Sequence, residues 1–226
     1  MQIDLSEALN FLKKGETNRA KKICEEILKN NIGNSEVYNL YAFIFYFEKK
    51  FNKAISAWTK ALEINPNYIE ALNGLGNALL KLDKVFEAIE NFKKAIKMNP
   101  NYFEAYSNLG TALIKTKKFD KAVDSFERAI EIKPDYVQAI YGKAYALMKN
   151  KNYDEAIISF NQSLKIRPMD ANAHNSIGCC LISKNEFEVS LNHFVKALEL
   201  KPNHKDAYDN LINLLKFYEP EDDYSN

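Results

Sequence analysis

Apolar residues recur along the chain with the 3.6-residue rhythm of amphipathic helices, in stretches separated by short polar turns. From Tyr102 to Lys115, the residues Tyr106, Leu109, Gly110 and Leu113 fall at i, i+3, i+4 and i+7, one face of a helix. Lys117, Lys118 and Phe119 read as a turn. Asp120 then serves as an N-cap for a second helix, whose buried stripe is Ala122, Phe126, Ala129 and Ile130 and which ends near Lys133. Pro134 stops it, because proline has no amide with which to continue the ladder.

This pair of helices is one copy of a repeating unit. Five of the six prolines, Pro66, Pro100, Pro134, Pro168 and Pro202, are spaced by 34 residues. The same period carries Ala54, Ala88, Ala122, Ala156 and Ser190, and four residues beyond each of these an aromatic: Trp58, Phe92, Phe126, Phe160 and Phe194. Ala61, Ala95, Ala129, Ser163 and Ala197 make a third series, and Ala42, Gly76, Gly110, Ala144 and Gly178 a fourth. Small residues let two helices approach to the short end of the usual spacing of about 8–10 Å, and the aromatic fills the hollow that remains. A single such unit leaves an apolar face uncovered, so neighbours stack into one continuous core.

The run Tyr106, Leu109, Gly110, Leu113, Ala122, Phe126, Ala129 and Pro134 resembles the tetratricopeptide repeat. So does the copy before it: Leu72, Leu75, Gly76, Leu79, Ala88, Phe92, Ala95 and Pro100. The resemblance covers nearly the whole chain. It implies an all-α fold, a right-handed α-solenoid of helix-turn-helix repeats with a C-terminal capping helix, over residues 1–218. The expected repeats are 1–34, 35–68, 69–102, 103–136, 137–170 and 171–204, with the cap at 205–218. The first is degenerate: Ala8, Phe11, Ala20 and Cys24 keep register, but Ile32 stands at the proline position. The cap is signalled by Tyr208, Leu211 and Leu215, and residues 219–226 form an acidic tail expected to fray.

Composition narrows the function. With 31 basic and 30 acidic residues the formal charge is +1, and no basic stripe appears, which argues against nucleic acid as a partner. Three cysteines, an odd number, fit a reducing compartment. The first residues lack the pattern of an export signal, and the longest apolar run, Leu40 to Phe47, is far short of the roughly 20 residues that span a bilayer. A cytoplasmic location without membrane insertion is expected.

Catalytic chemistry finds no foothold. His174, His193 and His204 have no metal-ligand spacing and no nucleophile beside them, and there is no phosphate loop, dinucleotide fingerprint or zincin motif. Cys24 and Cys180 occupy core register positions. Cys179 adjoins Cys180 on a helix, where consecutive side chains point about 100° apart, so it is either structural or a thiol lining the groove. No catalytic, cofactor or metal residue is assigned, and the chain is expected not to be an enzyme.

What remains is a surface. The first helix of each pair should line the concave side, and its residues outside the packing positions include Asn39 and Phe43, Asn73 and Asn77, Asn108 and Thr111, Tyr141 and Tyr145, Asn175 and Asn210. A carboxamide both donates and accepts, so it can hold the backbone of an extended peptide whatever its side chains. Successive first helices about 10 Å apart would meet such a peptide roughly every third residue. The alternative is that these asparagines reflect a chain rich in Asn and Lys throughout.

Helix Glu36 to Phe47 is apolar nearly all round. Leu5, Leu9 and Leu12 cover it, or Phe43, Tyr46 and Phe47 form a patch for a ligand or a second protomer. Some tetratricopeptide proteins clamp a C-terminal carboxylate with Lys, Asn and Arg; here Leu5, Asn39 and Gly142 stand where a cation is wanted, so the clamp is incomplete. Lys81, Lys115 and Lys149, spaced by 34, favour an acidic ligand or simply satisfy helix C-termini. The expected function is a protein-interaction scaffold binding a peptide or partner segment. Alternatives are the recruitment domain of a larger glycosyltransferase-type or methyltransferase-type enzyme, and a self-assembling homo-oligomeric scaffold.

Overall fold

The computed structural model describes residues 5–29 and 34–216, and within them the chain forms thirteen α-helices and no strand. Ile32, residues 217–218 of the expected cap and the acidic tail lie outside the described residues. Tertiary contacts divide the chain into two compact units, Met1–Thr116 and Lys117–Asn226. Unit 1 holds α1 (Leu5–Lys13), α2 (Thr17–Lys29), α3 (Ser35–Phe47), α4 (Phe51–Ile64), α5 (Ile69–Lys81), α6 (Val85–Met98) and α7 (Phe103–Lys115). Unit 2 holds α8 (Phe119–Ile132), α9 (Val137–Lys149), α10 (Tyr153–Ile166), α11 (Ala171–Ser183), α12 (Phe187–Leu200) and α13 (Lys205–Lys216). In each unit consecutive helices pack side by side, which makes the architecture an all-α solenoid of helix pairs.

The turn inside each pair is built alike throughout. Its second residue has a left-handed backbone: Gly15, then Lys49, Asp83, Lys117, Lys151 and Asn185, the five non-glycines with φ between 57° and 67°. The following amide reaches back five residues, as in Glu16 to Phe11, Lys50 to Phe45, Lys84 to Leu79, Asn152 to Leu147 and Glu186 to Leu181, at 2.8–2.9 Å. This is a Schellman closure of the first helix. It delivers the chain directly into the second helix, so Lys50, Lys84, Lys118, Asn152 and Glu186 precede their helices without a side-chain cap. The expected N-cap at Asp120 is therefore corrected: Asp120 lies in the first turn of α8, where it accepts from Asn150 Nδ2 at 2.7 Å.

Between pairs the proline acts on its neighbour. Asn65, Asn99, Lys133, Arg167 and Lys201 end the second helices with φ from −126° to −144° and ψ from 82° to 95°, the extended backbone that a following proline enforces. Asn34 and Asp170 then cap α3 and α11 through their side chains. His204 does the same for α13, its Nδ1 accepting from Ala207 N at 3.3 Å while Nε2 faces Asn172 Oδ1 at 3.0 Å.

Five rings, Trp58, Phe92, Phe126, Phe160 and Phe194, are at most 1% exposed and form the spine of the two cores. Phe92 and Phe194 lie against the glycine of their own first helix, whereas Trp58 meets Gly74 of the next. A Cβ placed on Gly76 would sit 2.5 Å from Phe92 Cε1, and one on Gly178 equally close to Phe194, whereas Gly142 meets Phe126 of the preceding pair. Gly142 is thereby a packing residue. In the degenerate first pair Cys24 takes the ring's place and is fully buried beside Ala8 and Ala20.

Candidate functional site

In unit 1 the first helices α1, α3, α5 and α7 touch in succession, so side chains 34 residues apart form columns across one face. α3 is the apolar rung. The first repeat covers its Val37, Leu40 and Ile44, helped by Leu5 and Leu12, while Leu9 stays 41% exposed. Phe43 and Tyr46 turn the other way, onto Trp58, with edge-to-face ring centroids at 5.2 and 5.9 Å. Phe47 is left 62% exposed, with Tyr46 as its ring neighbour among the described residues.

The amides expected to be unused for packing have specific partners. Asn39 Oδ1 accepts from the buried indole Nε1 of Trp58 at 2.8 Å, and its Nδ2 donates to the Tyr68 hydroxyl at 3.2 Å. Asn108 Nδ2 donates to Asn73 Oδ1 at 2.9 Å. In unit 2, Asn210 Nδ2 donates to Asn175 Oδ1 at 3.0 Å and to the Cys179 thiol at 3.3 Å, and the hydroxyls of Tyr141 and Ser176 lie 3.3 Å apart. Three of these inter-rung contacts share one spacing of 35 residues, the repeat period plus one, and Asn210–Cys179 spans 31. Where the later position is Gly74, no bridge forms, and Asn39 turns to Trp58 instead.

Each bridge leaves polar capacity over. Asn108 keeps its carbonyl oxygen, Asn73 its amide protons, and Asn77 makes no hydrogen bond among the described residues. Thr111 donates to the Ser107 carbonyl, which ties its hydroxyl to its own helix. Asn77, Asn108 and Thr111 line a cleft of about 520 Å³ together with Tyr46, Leu80, Lys81 and Lys115. Three rungs therefore converge on one opening: α3 gives an aromatic edge, α5 and α7 give amides, and two lysines stand at the rim. Burial raises the pKa of Tyr46, so its phenol stays neutral and able to donate. Leu80 was not singled out in the sequence.

In unit 2, Tyr141 lines a smaller cleft of about 260 Å³ with Gln138, Arg167, Asp170 and Asn172, and burial raises its pKa. Tyr145 carries Lys149 over its ring at 5.1 Å. Tyr145, Asn175 and Asn210 do not line that cleft, although Tyr141 and Tyr145 pack against the same core cluster. Burial also raises the pKa of Cys179 and pushes Cys24 and Cys180 up to about 12, leaving all three thiols protonated and poorly nucleophilic near neutrality. Among the described residues no group of three or more His, Cys, Asp or Glu could hold a metal, and no helix is long and apolar enough to cross a membrane.

Known proteins share this arrangement. Family profiles described as Tetratricopeptide repeat match residues 103–136, 137–170 and 171–204, and one described as TPR repeat matches 44–83 and 84–117. The uncharacterized protein ycf37 of Pyropia yezoensis is 43% identical over 49 residues, which are 22% of this chain and 28% of that protein. A chain of the APC/C hetero-tetramer Cut9-Hcn1 superimposes with a TM-score of 0.82 over 93% of this chain at 21% identity, a likeness of fold. This chain spans only 42% of its length. MamA superimposes with a TM-score of 0.65 at 29% identity, over 70% of this chain and 92% of its own.

Proposed function

Because the chain belongs to the tetratricopeptide-repeat family, whose helix-pair arrays are protein-interaction scaffolds, we propose that it holds an extended peptide segment of a partner across the first helices of unit 1. The observation that carries this reading is the cleft where Tyr46, Asn77, Asn108 and Thr111 meet. An extended segment needs donors and acceptors for its backbone at intervals of about three residues, and Asn77 and the free oxygen of Asn108 offer them from neighbouring rungs. Phe43 and Asn39 shape the wall behind, through Trp58, rather than reaching the ligand. In unit 2 the exposed parts of Tyr141 and Tyr145 offer aromatic anchors of the kind that dominate interface energetics.

The test is selection of a random peptide library on the full chain, followed by affinity measurement of the selected peptides. Changing Asn77 and Asn108 together to Ala should weaken them at least tenfold, about 1.4 kcal/mol, with helical circular dichroism unchanged. Failure to select any peptide, or selected peptides indifferent to both substitutions, overturns the proposal.

A further inference from the structure

Phe47, Lys81 and Lys115 occupy one register column, each 34 residues from the next, at the C-terminal ends of α3, α5 and α7. Two of the three line the rim of the unit 1 cleft, and Tyr46, packed beside Phe47, lines it from α3. The column thus runs from an apolar rung to two cationic ones.

The lysines are not neutralised alike. Lys115 Nζ is 2.8 Å from Asp83 Oδ1, the left-handed turn residue of the preceding pair, in an ion pair that is largely exposed. One repeat earlier the position equivalent to Asp83 is Lys49, so Lys81 has a cation where Lys115 has a carboxylate. Lys81 is exposed and makes no ion pair among the described residues. Glu48, next in sequence to Phe47, is bound to Lys50 at 2.7 Å. This rim therefore presents one unpaired cation, Lys81, and one, Lys115, shared with an exposed carboxylate that a ligand can replace.

We infer that the unit 1 cleft selects an acidic peptide segment with a bulky apolar residue at one end, the apolar side chain resting on Phe47 and Tyr46 and the carboxylates reaching Lys81 and Lys115. This deepens the peptide-groove reading and rests on it. With rungs on the order of 10 Å apart and an extended chain rising about 3.3 Å per residue, the acids fall about three and six positions from the apolar residue. The recognised carboxylates belong to side chains within the segment, so a free C-terminus is not required. Such rim charges act chiefly through complementarity and encounter rate, and they are screened by salt.

The experiment displays a random dodecapeptide library with blocked C-termini and selects it against the full chain and against K81E/K115E. Both lysines are exposed, and circular dichroism checks that the variant is folded. The native chain should enrich a bulky apolar residue followed at the stated spacing by Asp or Glu, and K81E/K115E should lose that preference or turn it toward Lys and Arg. Binding of an enriched peptide should weaken roughly three- to tenfold in K81Q/K115Q and with rising salt. Enriched peptides without acids, or acids retained by K81E/K115E, overturn this inference while leaving the groove reading intact; no enrichment at all removes both.

Discussion

Replacing Lys49 and Lys151 by glycine should stabilise the fold, one substitution in each unit. Both lysines hold φ values of 60° and 67° in the turn that closes a first helix. A residue with a Cβ loses roughly 1–2 kcal/mol in this left-handed conformation. Glycine returns part of that, about 0.4–1 kcal/mol, through the greater freedom of its unfolded chain. Neither side chain forms an ion pair among the described residues, so the net gain is about 0.5–1 kcal/mol per site. Asn185, at φ 62°, is the internal control, since asparagine tolerates this region far better and N185G should gain little.

Urea unfolding gives the assay. Trp58, the only tryptophan, reports by fluorescence on unit 1, and circular dichroism reports on all the helices. The midpoint should rise for K49G in both signals and for K151G in circular dichroism. A fall in either variant, or a gain in N185G as large as in K49G, would refute the reasoning that the backbone at these turns is strained by its side chains.

Other outcomes follow from single contacts. Asn39→Ala should cost about 1–3 kcal/mol in unfolding experiments, because it orphans the buried Trp58 indole N–H, and a neutral result would discount that bond. Phe92→Ala, at a fully buried ring, should cost about 3–5 kcal/mol in unit 1, seen as an earlier Trp58 transition. Stability should also fall with pH in unit 2. His174 and His193 face each other with Nδ1 atoms 3.2 Å apart, and burial, assisted by Lys196 for the first and by His174 for the second, lowers both pKa values. The folded state then binds fewer protons than the unfolded, so this contribution is complete above the unfolded value of about 6.5 and is lost as pH falls below it. Thermal melts between about pH 7.5 and 5 should show the decline and His193→Gln should flatten it; a native melt independent of pH in that window would count against it.

The helix pairs were legible because every period-setting residue answers to one local cause: Pro134 lacks an amide, Ala122 lacks bulk, and Phe126 fills what Ala122 leaves. The turns were less so. Lys, Asp and Asn stand where glycine would announce a left-handed residue, and only Gly15 of the degenerate repeat carries the expected signature; the same concealment made Asp120 look like a cap. At the groove, register put Asn77, Asn108 and Thr111 on neighbouring first helices, where they line one cleft, since columns follow from the period. It could not reveal that Asn73 binds Asn108, because that bond depends on two side chains turning toward each other across rungs. The amide pairs at 73/108 and 175/210, both separated by 35 residues, were the available sign. Asn39 escaped the pattern for a local reason: Gly74 offers it nothing, and a tryptophan in place of phenylalanine supplies a donor no other repeat has.

The glycine at position 74 also sets how the rungs of unit 1 are fastened to one another. α5 and α7 are pinned by the Asn73–Asn108 carboxamide bond, whereas Gly74 presents bare backbone to the Trp58 ring of α4, and α3 reaches α5 through the Asn39–Tyr68 hydrogen bond at the N-terminal end of that helix. The two sides of the mouth between Tyr46 and Asn77 are thus fastened at different heights, amide to amide on the α7 side and at the entrance of α5 on the α3 side.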